Sequence, residues 1–166
     1  MTDFDAITAL KTIADIDAIK GVKYRYMRAL DTKHWDDFAA TLAEDVTADY
    51  GKSMGSDHSF TDRDSLVEFM RNSLPATIIS EHRVNHPEIT LTGPDTATGI
   101  WYLQDRVIIP DYNLMLIGAA FYHDSYRRTA DGWKISATGY QRTYDATMPL
   151  SDIPGFKVTF GEALHR

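Results

Sequence analysis

The chain contains no cysteine, which excludes a disulfide framework, a thiolate nucleophile and a Cys-ligated zinc site. It also lacks any apolar run approaching the roughly 20 residues of a membrane span. Asp3 and Asp5 stand where a secretory leader would carry positive charge. These absences predict a cytoplasmic protein with no membrane partner. Cationic residues are in the minority, 17 Lys and Arg against 24 Asp and Glu, for a formal charge of −7. Nucleic-acid backbones and anionic membranes are held mainly through clustered Lys and Arg, so neither is an expected partner. No G-x-S-x-G, P-loop or dinucleotide fingerprint is present, and nucleophilic-serine and nucleotide-dependent mechanisms are unsupported. What remains is 166 residues with 43% hydrophobic and 25% charged side chains, the make-up of one globular domain able to bury a core.

Ile13, Ile16, Ile19, Val22, Tyr26 and Leu30 recur at three- and four-residue steps, the apolar stripe of an amphipathic helix running to about Asp31. Asp15 is the expected N-cap of its main body, and Gly21 lies within the stripe, where it would allow close packing on a sheet. After a polar turn, Trp35, Phe38, Ala39 and Leu42 restart the helical period. Val46 to Tyr50 reads as a strand, Gly51 to Phe60 as a flexible lid loop, and Asp62 to Leu74 as a third helix ended by Pro75. The period then changes to strand character in four runs, 78–91, 96–109, 114–128 and 133–144, separated by short turns. Turns this short favour antiparallel hairpins, because a parallel crossover needs a dozen or more residues. Three helices followed by a long-stranded sheet predict an α+β domain whose sheet bends around the helices. Residues 146–166 read as an irregular tail that wraps the domain or touches a neighbouring subunit.

Three segments carry a family resemblance. Tyr26-Met27-Arg28-Ala29-Leu30-Asp31 with Trp35 and Phe38, Glu81-His82-Arg83-Val84-Asn85 with the hairpin beyond it, and Asp131-Gly132-Trp133-Lys134-Ile135 resemble the landmarks of SnoaL-like proteins of the nuclear transport factor 2 superfamily. The resemblance covers roughly residues 13–145. It implies a cone-shaped α+β barrel of three N-terminal helices on a curved, mostly antiparallel sheet. It also implies a pocket for a small hydrophobic cyclic molecule and a homo-oligomer. The superfamily holds dehydratases, isomerases, cyclases and binding-only members, so the fold does not select the reaction.

Asp31 falls at the C-terminal end of the first helix, where the macrodipole disfavours a carboxylate. It is either a solvated turn residue or one compensated by a cation or an imidazole proton. His82 lies at an even strand offset from Val84 and is expected to face inward. In the dehydratases that this chain resembles, an Asp at this landmark orients a strand His, which implies the pair Asp31 and His82. A carboxylate that accepts one ring N–H leaves the other nitrogen as a general base, with no metal or cofactor. Tyr26 precedes Asp31 by little more than one helical turn and is a candidate donor, with Tyr24 as competitor and ordinary core packing as the alternative. Asp105 alternates with Trp101, Leu103 and Val107, so it is a carboxylate on an apolar face, either protonated or paired with Arg142 or Arg106. A protonated Asp in such a place can donate to an oxyanion, as in ketosteroid isomerase. Arg142 is a further candidate whose family match is looser. Trp35, Phe69, Met70, Trp101 and Leu103 are the expected pocket walls. His82 and His86 can share a strand face and His123 is a third imidazole, but no recognised ligand spacing accompanies them and no metal site is predicted. The leading expectation is a cofactor-independent lyase of dehydratase type. An isomerase, a polyketide cyclase, a ligand-binding module or a dioxygenase small-subunit-like partner are the alternatives.

Overall fold

The computed structural model describes residues 3–53 and 56–164. Helix α1 spans Asp3–Thr32, starting well before Ile13, because nothing between Asp3 and Thr12 breaks a helix. Ile7, Leu10 and Ile13 remain exposed, and the buried apolar stripe begins at Ile19 and continues through Val22, Tyr26 and Leu30. Asp15 is therefore no N-cap. It lies inside α1, where Oδ1 accepts from Arg128 Nη2 at 2.6 Å and from Trp133 Nε1 at 3.2 Å. Gly21 does not meet the sheet either, since a side chain there would first touch the Arg25 guanidinium on the same helix.

Helix α2 spans Trp35–Ala40 and α3 spans Arg63–Ser73. Asp62 caps α3 by accepting from the Ser65 N–H at 2.8 Å, satisfying a donor that the first turn leaves free. The strands are β1 Leu42–Ser53, β2 Ser56–Phe60, β3 Ile79–Leu91, β4 Thr96–Ile109, β5 Leu114–Thr129 and β6 Gly132–Pro149. They form one open sheet in the order β2-β1-β6-β5-β4-β3. Each neighbouring pair is antiparallel except β1 and β6, which run parallel. The predicted lid from Gly51 to Phe60 is corrected in part: Ser56–Phe60 is strand, with Ala48 opposite Phe60 and Asp49 opposite Ser59, and residues 54–55 lie outside the described residues.

Register shifts at Asn85/Glu88, Ala119/Ala120 and Ser125/Tyr126 insert extra residues that bend the strands and increase their twist. The sheet thereby curves over α1, α2 and α3, and the core of Ile19, Val22, Phe38, Leu66, Leu103 and Ile135 fills the concavity. After β6 the chain makes a short 3-10 turn, Leu150–Asp152. Asn113 holds it by bonding Ser151 through both ends of its amide at 3.0 Å. The tail then runs back to α1, where Ala163 shares a groove with Arg25 and Arg28.

Candidate active site

The last turn of α1 meets the start of β3. Ser80, His82 and Val84 alternate on the inner side of β3, and the register sets His82 opposite Asp105 on β4. Asp31 turns its carboxylate onto this strand. Oδ2 accepts the His82 backbone N–H at 2.7 Å, while Oδ1 accepts the Ser80 hydroxyl at 2.9 Å and stands 2.6 Å from His82 Nδ1. These donors offset the unfavourable helix-end position. A carboxylate only accepts, so Nδ1 carries the proton and Nε2 is the basic nitrogen. Nε2 has no hydrogen-bond partner among the described residues. The two side chains are 11% exposed for His82 and 21% for Asp31, enclosed yet reachable.

Behind them lies Lys33, 2% exposed, with Nζ donating to Ser80 Oγ at 2.9 Å. Burial lowers its ammonium to about 8, against the opposing pull of Asp31.

Asp105 is paired, and its partner is Arg142. Two parallel bonds of 2.7 Å join Nη1 to Oδ1 and Nη2 to Oδ2, the bidentate geometry of a strong guanidinium–carboxylate pair. Arg106 turns to Glu81 instead. The pair reaches across β5 at Gly118, which stands opposite Asp105. A Cβ there would lie 2.6 Å from Arg142 Nη1 and 2.9 Å from Asp105 Oδ1, so the absence of a side chain is what admits the contact. Directly opposed residues hold their Cβ atoms roughly 5 Å apart, which makes the ion pair the immediate neighbour of His82.

Tyr26 is fully enclosed, and its hydroxyl is 3.0 Å from that of Tyr50. Tyr50 stacks on Tyr140 at 5.2 Å, and the Arg142 guanidinium lies over Tyr140 at 4.9 Å, so contacts lead from Tyr26 to Arg142. Burial pushes the Tyr26 and Tyr50 phenols above their ordinary range. Deeper in, Lys23 pairs with Asp124 at 2.8 Å, both side chains fully buried, with Nζ 3.5 Å from the centre of the Tyr122 ring. Desolvation lowers Lys23. Asp124 also accepts from Tyr126 Oη and Thr138 Oγ1, each at 2.8 Å. Tyr24 is exposed.

The expected walls divide into two groups. Trp101 and Leu103 are fully enclosed, and the Trp101 N–H is already given to Tyr126 Oη at 2.9 Å, so a ligand reaches them only if neighbours move. Trp35 and Met70 are partly buried at the edge of the core, and Phe69 stacks on Phe60 at 4.8 Å. His86 sits in the β3 bulge with φ +48 and is exposed, which breaks its alternation with His82, and His123 is exposed on β5.

Ser80, Lys33, Tyr50, Gly118, Lys23 and Asp124 were not singled out by sequence. Four had a signal: Ser80 shares the alternation of His82, Asp124 that of Tyr122 and Tyr126, Tyr50 that of Val46 and Ala48, and Lys23 the helical period of Ile19 and Tyr26. Gly118 and Lys33 had none, since each matters through residues far along the chain.

An open, curved, mostly antiparallel sheet covered by three N-terminal helices is the α+β arrangement of nuclear transport factor 2-like proteins. The chain belongs to the SnoaL-like domain family, which matches residues 11–138. Among solved structures, it is similar to a scytalone dehydratase-like protein from Novosphingobium aromaticivorans, with 18% identity, TM-score 0.73, and 81% of this chain and 88% of that one covered. The type-3 LinA hexachlorocyclohexane dehydrochlorinase from Novosphingobium barchaimii matches at 15% identity and TM-score 0.70, over 96% of this chain and all 100% of its own. ActVI-ORFA from Streptomyces coelicolor matches at 17% identity and TM-score 0.64, over 77% and 96%. At these identities the likeness is one of fold.

Proposed function

We propose that this protein is a cofactor-independent enzyme that eliminates a small leaving group from a small hydrophobic cyclic molecule, with His82 as general base. The observation that carries the reading is the 2.6 Å contact of His82 Nδ1 with Asp31 in an enclosed site, which in the neutral imidazole frees Nε2 to accept a proton. In the step, a C–H bond beside a carbonyl breaks and its proton passes to Nε2. The electron pair left on carbon forms the new double bond as the bond to the leaving group breaks. A departing hydroxyl takes that proton back from Nε2 and leaves as water, which returns the imidazole to its neutral form. Asp31 stabilises the imidazolium that forms. Arg142, positioned by Asp105, is the group expected to orient a substrate oxygen, and the enclosed Tyr26–Tyr50 pair would supply a phenol donor once neighbouring side chains move aside. Trp35, Phe69 and Met70 line the approach. Isomerisation and cyclisation would use the same base with a different second step. Copies of the chain are expected to associate through the outer sheet face, where Tyr102 and Phe121 lie 5.3 Å apart and Phe121 is 40% exposed.

The test is hydrogen–deuterium exchange beside the carbonyl in a panel of cyclic hydroxy-ketones and steroid-like enones, with EDTA-treated protein. His82→Ala is expected to lower the rate by about 10²- to 10⁴-fold. Asp31→Asn should also lose most activity, and Tyr26→Phe should slow turnover with ligand binding largely kept. Exchange that requires added metal, or that survives His82→Ala unchanged, rules the reading out. Binding without exchange assigns a ligand-binding module instead.

A further inference from the structure

The turn that ends α1 carries a residue that the base itself does not require. The Lys33 N–H donates to Leu30 O at 3.4 Å and the His34 N–H to Ala29 O at 3.0 Å, which closes the helix in a Schellman arrangement with Lys33 at φ +64. Glycine ordinarily holds that position, because the left-handed region crowds the Cβ of any other residue. Here it is a lysine, and its side chain turns inward to 2% exposure, although a path to solvent would spare the ammonium its desolvation. Backbone strain and a buried charge at one residue are separate costs, and structures keep such costs where the residue has a task.

The hydrogen bonds show where that task lies. An ammonium only donates, so Lys33 Nζ occupies a lone pair of Ser80 Oγ at 2.9 Å. The Ser80 proton then has one direction left, toward Asp31 Oδ1 at 2.9 Å, the same oxygen that His82 Nδ1 approaches at 2.6 Å. Donation runs Lys33 to Ser80 to Asp31 from one side and His82 to Asp31 from the other. We propose that Lys33, acting through Ser80, is a positioning residue for the Asp31–His82 pair, holding the carboxylate in place and opposing protonation of His82 by its charge. The inference rests on His82 being the base and names what sets its basicity. The lowering of Lys33 to about 8 fits an ammonium held in this enclosed spot. The charged groups beside His82 are Asp31 on α1 and the Asp105–Arg142 pair of β4 and β6, while His34, Asp36 and Asp37 around the start of α2 and Arg71 on α3 border the groove of Lys33.

The test is an NMR titration of the His82 imidazole in the wild-type protein and in Lys33→Met, Lys33→Gly and Ser80→Ala. Lys33→Gly removes the amine while relieving the left-handed strain, so a folded variant is secured. Both Lys33 variants are expected to move the His82 midpoint upward by on the order of one pH unit, because a positive charge a few hydrogen bonds away has gone. Ser80→Ala should broaden or abolish the Nδ1 proton signal. Arg71→Gln removes a charge from the same groove without touching the relay and should leave the midpoint in place. An unmoved midpoint in both Lys33 variants overturns the proposal, as does an equal shift in Arg71→Gln. The exchange assay separates this result from the reading it rests on. A His82 titration that answers to Lys33 in a protein without exchange activity keeps the relay and removes the base. Exchange that depends on His82 while its titration ignores Lys33 does the reverse.

Discussion

Lys33 bears on stability as well as on the site. The unfolded chain holds a lysine proton to about 10.5, whereas the folded protein releases this one near 8. Between those values the unfolded state carries more protons, so the free energy of unfolding rises with pH. The cost of the buried charge is thus fully present below about pH 8 and is relieved above it. From about pH 7.5 to about pH 9.5 the wild type should gain on the order of 2 kcal/mol in urea unfolding through this one group. Lys23, also lowered by burial, adds in the same sense, so the measurement that checks Lys33 is the difference in pH slope between wild type and Lys33→Met. Equal slopes would show that its proton is not lost in this window. Tyr26 shows the limit of a residue read singly. Its helical spacing to Asp31 is legible in the sequence, but the hydroxyl of Tyr50 that shares its proton belongs to another element.

Elements decide the rest of the site's geometry. Strand β5 contributes no reactive group to the Asp105–Arg142 contact, yet it separates the two strands that do, and only a residue without a side chain lets the pair cross it. Gly118→Ala is therefore expected to push the guanidinium and the carboxylate apart and to lower stability by about 1–3 kcal/mol, the usual range for overfilling a packed place. Urea unfolding checks the stability, and a structure of the variant checks the pair. An unchanged midpoint with the pair intact would mean that the neighbours yield freely. The four long strands and three helices were legible from period and punctuation because those signals are local. Strand β2 was missed, since its residues, Ser56 to Phe60, are mostly polar and flanked by turn formers, and pairing with β1 outweighs that weak intrinsic preference.

At the scale of the whole molecule, polar links away from the Asp31 contacts also tie α1 to the sheet. Asp15 joins the β5–β6 hairpin through Arg128 and Trp133. Lys23 joins Asp124 in the fully enclosed interior. A buried ion pair adds little over apolar packing, but removing one partner strands the other charge at a cost of about 3–5 kcal/mol. Lys23→Met should lower unfolding free energy by that order, and adding Asp124→Asn should recover part of it. Strictly additive losses in this double-mutant cycle would show that the two side chains do not depend on each other.

The sequence by itself determined the class of the domain, the succession of helices and long strands, the inward faces of the main strands and the candidacy of Asp31, His82, Tyr26, Asp105 and Arg142. Each of these rests on spacing within one element or on a landmark segment. Tertiary structure alone decided what each side chain is bonded to. It turned Asp15 from an expected cap into a buried anchor, and assigned Asp105 to Arg142 rather than to Arg106. It exposed His86 at a bulge and brought Lys33 inward behind Ser80. The physical reason is that register between strands, and the angle at which α1 crosses them, set distances between residues dozens of positions apart. No local pattern encodes a separation such as that between Asp31 and His82, which the fold closes to hydrogen-bond distance at both the imidazole and the backbone N–H.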